Sequence, residues 1–318
     1  MATTLRDIAH ACDMDISTVS RALRSDERVT SKTRERIVAV ARDMGYVPNL
    51  SARSLAGAKT RTIWYLIPSL VEPVQIHCVQ EASRYLAESG YELSIILYRG
   101  DAERYLHLLR RLSQGVTDGA IIVPGPTGRG EEQLQALAAQ RFPIVFLDRY
   151  PEASTLPAVT SDNAGAAAEM ATRLVEQGAV RFVVLFNREA NLVEQARLQG
   201  VVAYLGEAGL PFVIGDRFDP AFLQQGECLG VIATSQHAVR RFIESALPVP
   251  PPLRVAVFDD WQGDPYPATH AIVCRQNLTD MARTACDLVL GMIDGHSPTK
   301  TMHRIAPERF DRVVSQVK

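Results

Sequence analysis

Six polar clusters in this chain fall just beyond apolar runs: Ser69, Asp148-Arg149, the stretch from Asn187 to Arg197, Thr234-Ser235, Asp259-Asp260 and Arg275-Gln276. Carboxylates, guanidiniums, hydroxyls and amides gathered this way supply paired donors and acceptors, which is what a polyhydroxylated small molecule needs. Taken singly, each residue would serve equally well as a cap for the next helix. As a set they point to a pocket. Catalysis asks for other pairings, which are missing. The stretch from Gly125 to Gly130 lacks the Lys-Ser/Thr of a phosphate-binding loop and shows no dinucleotide fingerprint, so it reads as a loop before a helix. The histidines show no His-Glu-x-x-His spacing, and no Gly-x-Ser-x-Gly elbow is present. Asp259 and Asp260 are adjacent, so on a strand end their side chains diverge instead of pairing as acid and base. The expectation is a binding protein with no enzymatic activity, no metal and no cofactor.

The elements that must position these groups alternate. Apolar runs at 63–67, 93–97, 120–123 and 144–147 are separated by helical stretches near 75–89, 102–114 and 131–140. The rhythm repeats with runs at 182–186, 212–214, 230–233 and 255–258, and helices near 163–177, 192–208, 236–246 and 278–294. Continuous apolar strands between helices mean parallel sheets covered on both faces. Two sets in tandem imply two doubly wound lobes, with ligand held in the crevice at the carboxyl ends of the strands. A length of 318 residues accommodates such a body and one small extra domain. No apolar run reaches the roughly 18 residues of a membrane span, and the amino terminus lacks a signal-peptide layout. Five scattered cysteines, without a Cys-x-x-Cys pair, argue for a reducing cytoplasm over a disulfide framework or zinc site.

The first 61 residues differ in kind. They hold eleven basic and seven acidic side chains, a net +4, which leaves −6 on the rest of a chain whose total is −2. A basic head on an acidic body suits phosphate contact. Thr4 and Asp7 resemble a capping box opening a helix of about 5–12, with Leu5, Ile8 and Ala9 on one face. After a turn at Cys12-Asp13-Met14, where Asp tolerates a left-handed backbone, Asp15 is placed to cap a second helix to about Leu23 with Val19 and Leu23 inward. A third helix starts at Thr30 or Ser31, carries Ile37, Val40, Ala41 and Met44 as its stripe, and ends at Gly45. Pro48 blocks continuation, and Asn49 can cap a short helix to Ala56. The first two helices make a helix-turn-helix, whose second helix enters the major groove.

Thr4-Leu5-x-Asp7-Ile8-Ala9, Thr18-Val19-Ser20-Arg21, Val29, Thr33-Arg34-Glu35-Arg36-Ile37, Gly45-Tyr46-x-Pro48-Asn49, Ala52-Arg53 and Leu55-Ala56-Gly57 resemble the DNA-binding head and hinge of the LacI/GalR repressor family. The resemblance implies an α-helical head at 1–48, a hinge helix and linker at 49–60, and a two-lobed effector-binding and dimerisation body of periplasmic-binding-protein type at 61–318. It implies a cytoplasmic homodimer on double-stranded operator DNA, with contacts from Thr4, Leu5, Ile16, Ser17, Thr18, Ser20, Arg21, Asn49, Ala52 and Leu55. Ile16 and Ser17 match the base-choosing positions, Arg21 the basic contact, and Leu55 the minor-groove wedge. In the body it implies effector contacts from Ser69, Asp148, Arg149, Arg197, Thr234, Asp259 and Gln276. Thr234-Ser235 replaces a common Asn-Asp, and with Leu147-Asp148-Arg149 and Phe258-Asp259-Asp260 it resembles the fructose repressor (catabolite repressor/activator) branch. Arg149 and Arg197 would then hold a phosphate. The expected function is a repressor whose operator affinity is set by a sugar or phosphosugar. The alternatives are a sugar receptor without DNA function and a co-repressed regulator.

Overall fold

A computed structural model describes residues 3–24, 26–46, 59–125, 129–152, 154–186, 192–215, 226–235, 253–259 and 270–313. The chain divides into two compact units, Met1–Thr60 and Arg61–Lys318. Asn49, Ala52 and Leu55, and with them the expected hinge helix, lie outside the described residues, as does the helix expected at 236–246.

The first unit packs three helices, α1 (Leu5–Cys12), α2 (Ile16–Leu23) and α3 (Ser31–Asp43). The capping box of α1 is present: the Thr4 hydroxyl accepts from the Asp7 amide at 3.4 Å, and the Asp7 carboxylate accepts from the Thr4 amide at 2.8 Å. Asp13 ends α1 in the left-handed conformation, φ 51°. Asp15 occupies the N-cap of α2, but its side chain makes no capping bond, so the roughly 1 kcal/mol expected of that bond is not realised. Thr30 caps α3, and Gly45 follows its end at φ 63°. Ile8, Cys12, Val19, Ala22 and Ile37 form the centre of the core. Two inward positions differ from the sequence reading. Ala22 is buried in place of Leu23, which is half-buried, and Met44 is 37% exposed. Helices this close admit a small residue at the centre and leave larger neighbours at the rim.

Hydrogen bonds from Thr4 hold the Asp7 carboxyl below the usual aspartate range, and Arg28 does the same to Asp26. A carboxylate depressed in the folded state stabilises above its unfolded value of about 3.9, and that stabilisation drains away as pH falls through the folded value. The head is therefore expected to hold constant stability down to about pH 4 and to lose it below. Urea melts monitored by circular dichroism between pH 6 and pH 2 check this. Asp7→Asn should flatten the profile, and an equal acid loss in that variant would refute the assignment.

The second unit contains two six-stranded sheets. The first is ordered β11-β5-β4-β3-β1-β2, where β1 is Thr62–Ile67, β2 Glu92–Leu97, β3 Gly119–Ile122, β4 Ile144–Leu147, β5 Ala158–Ser161 and β11 Met302–Ile305. The second is ordered β12-β10-β9-β8-β6-β7, where β6 is Arg181–Leu185, β7 Phe212–Gly215, β8 Leu229–Ala233, β9 Leu253–Phe258, β10 His270–Arg275 and β12 Arg309–Val313. Helices α4 (Pro73–Glu88), α5 (Ala102–Leu112), α6 (Glu131–Ala139), α7 (Asn163–Glu176), α8 (Leu192–Glu207) and α9 (Leu278–Ile293) connect them. The two-lobed α/β architecture is as expected. Its topology corrects the sequence reading twice.

First, the lobes are not in tandem. After β10 the chain returns to the first lobe, where α9 packs on α4, β3, β4 and β5 and β11 pairs with β5. It then crosses back as β12, so three strands of chain join the lobes. Second, β12 runs antiparallel to β10, the one such pairing among the described strands. Matching positions in the two orders pair β1 with β6, β4 with β9 and β5 with β10, so the lobes are internal counterparts. Where α7 meets α8, a Cβ on Gly200 would fall 2.1 Å from the Ala164 carbonyl oxygen, so glycine alone permits this helix contact. All five cysteines are free; burial pushes the Cys274 and Cys286 thiols up to about 12, which leaves them unreactive packing groups.

Candidate functional site

The carboxyl ends of counterpart strands β4 and β9 carry the two central acids of the second unit. Asp148 follows β4 and Asp259 follows β9, both in the left-handed conformation, at φ 68° and 64°. Each backbone amide still reaches the neighbouring strand, Asp148 donating to Val159 O at 2.8 Å and Asp259 to Cys274 O at 2.9 Å. The chain therefore turns abruptly at the strand end and delivers both carboxylates to one cleft.

A buried glutamine fixes each acid. Gln75 Nε2, in the first turn of α4, donates to Asp148 Oδ2 at 2.9 Å. Gln276 Nε2 donates to both oxygens of Asp259 at 2.9 Å, and Gln276 Oε1 accepts from Ser161 Oγ at 2.5 Å. Ser161 and Gln276 sit on two of the segments that cross between the lobes, so Asp259 is tied to the joint itself.

Arg197, buried on α8, forms the opposite charge. Its Nε donates to Asn163 Oδ1 and its Nη1 to the Thr234 carbonyl, both at 2.8 Å, and its guanidinium lies 3.7 Å from the Phe258 ring centroid. Burial lowers the Arg197 pKa against the opposing pull of Asp259 and Asp148. Burial likewise raises that of Asp148, against Arg149 and Arg197. Arg149 stands 3.7 Å from both Asp148 and Glu72. Together these groups line a cleft of about 650 Å³. Acceptors and donors of fixed direction around an apolar platform, Phe258, suit a small polyol.

Of the residues read from sequence, Asp148, Arg149, Arg197, Asp259 and Gln276 meet here. Ser69 does not. It is exposed and its hydroxyl accepts from the Val71 amide. Thr234 stands behind the wall, presenting its carbonyl to Arg197 and its hydroxyl to Leu185 O, while Ser235 lines the cleft. Arg275 is drawn away by Asp311 of the antiparallel strand. Asn187 and Asp260 lie outside the described residues. Glu72, Val74, Glu194 and Phe258 are cleft residues that sequence reasoning missed. Their signal was position: the first turns of the helices after counterpart strands β1 and β6, and the last residue of β9. Among the described residues no cluster of His, Cys, Asp and Glu could hold a metal, and no helix is long and apolar enough to cross a membrane.

In the first unit, Ile16 is 42% exposed and Ser17 is exposed at the start of α2; Thr18, Ser20 and Arg21 are half-buried on the same helix. Thr4 is engaged in its capping box, and Leu5 packs partly on the core. An apolar side chain as open as Ile16, beside a hydroxyl, is a surface suited to base edges.

A helix-turn-helix unit and a two-lobed body with a polar cleft define a ligand-controlled DNA-binding regulator. The profile of bacterial regulatory proteins of the lacI family matches residues 4–49, and that of periplasmic binding proteins and the sugar binding domain of the LacI family matches residues 60–216. Over 308 residues, 91% of each chain, the protein is 26% identical to the ribose operon repressor of Bacillus subtilis. It is also 26% identical to the transcriptional regulator DegA of the same organism, over 66% of this chain and 63% of that relative's length. The fold superposes with a TM-score of 0.75 on the lac repressor dimer bound to operator and the anti-inducer ONPF, at 21% identity and 98% coverage of both chains. The chain belongs to the LacI family. It is a DNA-binding transcriptional repressor with a sugar-binding effector domain, and family membership makes it a regulator and not an enzyme.

Proposed function

We propose that the protein is a cytoplasmic homodimer that represses transcription from a near-palindromic operator and releases it when a sugar occupies the cleft. In this reading residues 1–48 form the head, 49–60 the hinge and 61–318 the body. Ile16 and Ser17 read bases in the major groove, with Thr18, Ser20, Arg21, Thr4 and Leu5 against the backbone. Asn49, Ala52 and Leu55 serve the minor groove. The observation that carries the effector reading is the delivery of Asp148 and Asp259, from counterpart strands, to one cleft with Arg197. The dimer is supported by the edge strands β2 and β7, which leave Ile95, Val213 and Ile214 exposed at the unpaired side of each sheet. Open apolar edges of this kind are normally covered.

The sign of the response follows from which lobe arrangement binds the ligand better. A differential of about 1–3 kcal/mol changes operator affinity 5- to 150-fold. A ligand favouring the DNA-bound arrangement would make the protein co-repressed. A phosphosugar, as in the fructose repressor branch, is the second reading, favoured by Arg149 and Arg197 sharing the cleft.

Fluorescence anisotropy on DNA from beside its own coding region, titrated with free and phosphorylated sugars, tests the whole. Ser17→Ala should relax base preference at one operator position by about 1–3 kcal/mol. Arg21→Ala should weaken all sequences alike and reduce the salt slope by about one. Absence of any salt-dependent operator binding would leave only the sugar-receptor reading.

A further inference from the structure

The charge of the cleft narrows the effector beyond a sugar, and this step rests on the proposed function. Four carboxylates line it, Glu72, Asp148, Glu194 and Asp259, against two guanidiniums, Arg149 and Arg197. Arg197 is spent on the protein: two of its three nitrogens bond Asn163 and Thr234, and its face covers Phe258. Arg149 is held between Asp148 and Glu72. The glutamine clamps keep Asp148 and Asp259 where they are, so neither can swing away from an incoming anion.

The helix ends sharpen the argument. The first turns of α4 and α8 both face the cleft, and paired helix N-termini would ordinarily draw a phosphate. Here each of those turns carries a glutamate. Glu72 occupies the N-cap position of α4 without making a side-chain capping bond, so its carboxylate is turned to the cleft and not to the helix. The positive ends are thereby offset where a phosphate would sit.

We propose that the effector is a polyol bearing a protonated amine, an amino sugar or its close chemical equivalent, with the ammonium set against Glu72 and Glu194 and the hydroxyls against Asp148, Asp259 and Gln276. An ammonium donates three hydrogen bonds and accepts none, which matches a wall of acceptors.

Matched triplets test this on the full-length protein: glucosamine, glucose and glucose 6-phosphate, and the galactose series, each measured by isothermal calorimetry. The amine is expected to bind at least tenfold more tightly than the neutral sugar, about 1.4 kcal/mol. N-acetylation should erase the gain, and raising salt from 50 to 500 mM should shrink it. Glu72→Gln and Glu194→Gln should each cut the amine-to-neutral ratio at least threefold. A neutral or phosphorylated sugar binding as tightly as its amine would overturn the inference and leave the proposed function standing. Binding of none of the six would overturn both.

Discussion

Ile37→Ala is expected to abolish operator binding while the effector-binding body stays folded. Ile37 is fully buried at the centre of a core made only of residues from the first unit. Truncating such a side chain costs about 2–5 kcal/mol, in transfer energy and in the cavity left behind. A unit of this size has only about 2–7 kcal/mol to lose, at 0.05–0.15 kcal/mol per residue. One substitution thus removes most or all of its stability. The body has its own cores and its own division from the head, so its thermal transition and its sugar-induced shift should persist. Val38, next in sequence and 47% exposed, supplies the control: Val38→Ala should change stability by no more than about 0.5 kcal/mol. Anisotropy measures the DNA side and differential scanning fluorimetry the body. Tight operator binding by Ile37→Ala would mean that the three-helix core does not hold the reading helix.

Arg197→Ala should have the second large effect, and it should fall on the body. The change strips two 2.8 Å hydrogen bonds and the stacked face of Phe258. It leaves the Asn163 amide oxygen and the Thr234 carbonyl without their donor, and removes a positive charge facing two buried acids. Losing one member of a buried charge network costs about 3–5 kcal/mol, mostly because the remaining charges keep their desolvation penalty. The urea midpoint of the body should drop accordingly, and the effector-induced shift should vanish. Arg197→Lys separates the two consequences. It restores a charge without the planar fork, so part of the stability should return while effector affinity stays at least tenfold weaker. An alanine variant with wild-type stability and an intact sugar response would remove Arg197 from the site.

Local chemistry made much of this protein legible from its residues. The capping box at Thr4 and Asp7, the tolerance of Asp13 for a left-handed turn and the Gly45 stop depend on groups within a few positions of one another. The same holds for the central strands, whose apolar runs are long enough to declare burial on both faces. Strand ends in such sheets face a crevice, so Asp148 and Asp259 were readable as cleft residues before any coordinates.

Other features belong to the tertiary structure alone. Strands β5, β10, β11 and β12 carry no comparable apolar run, and their pairing is set by partners far along the chain: β11 with β5 and β12 with β10. Nothing local says that the chain returns to its first lobe after 278. The reason is geometric, because a third crossing buries α9 against α4 and ties both lobes at one joint, a gain that exists only once both sheets are formed. Ser69 and Arg275 show the converse. Each stands at a strand end by sequence, yet one turns onto the Val71 amide and the other onto Asp311. Residue type and spacing determined which groups were available to a ligand; competition among nearby hydrogen-bond partners decided which of them remained in the cleft.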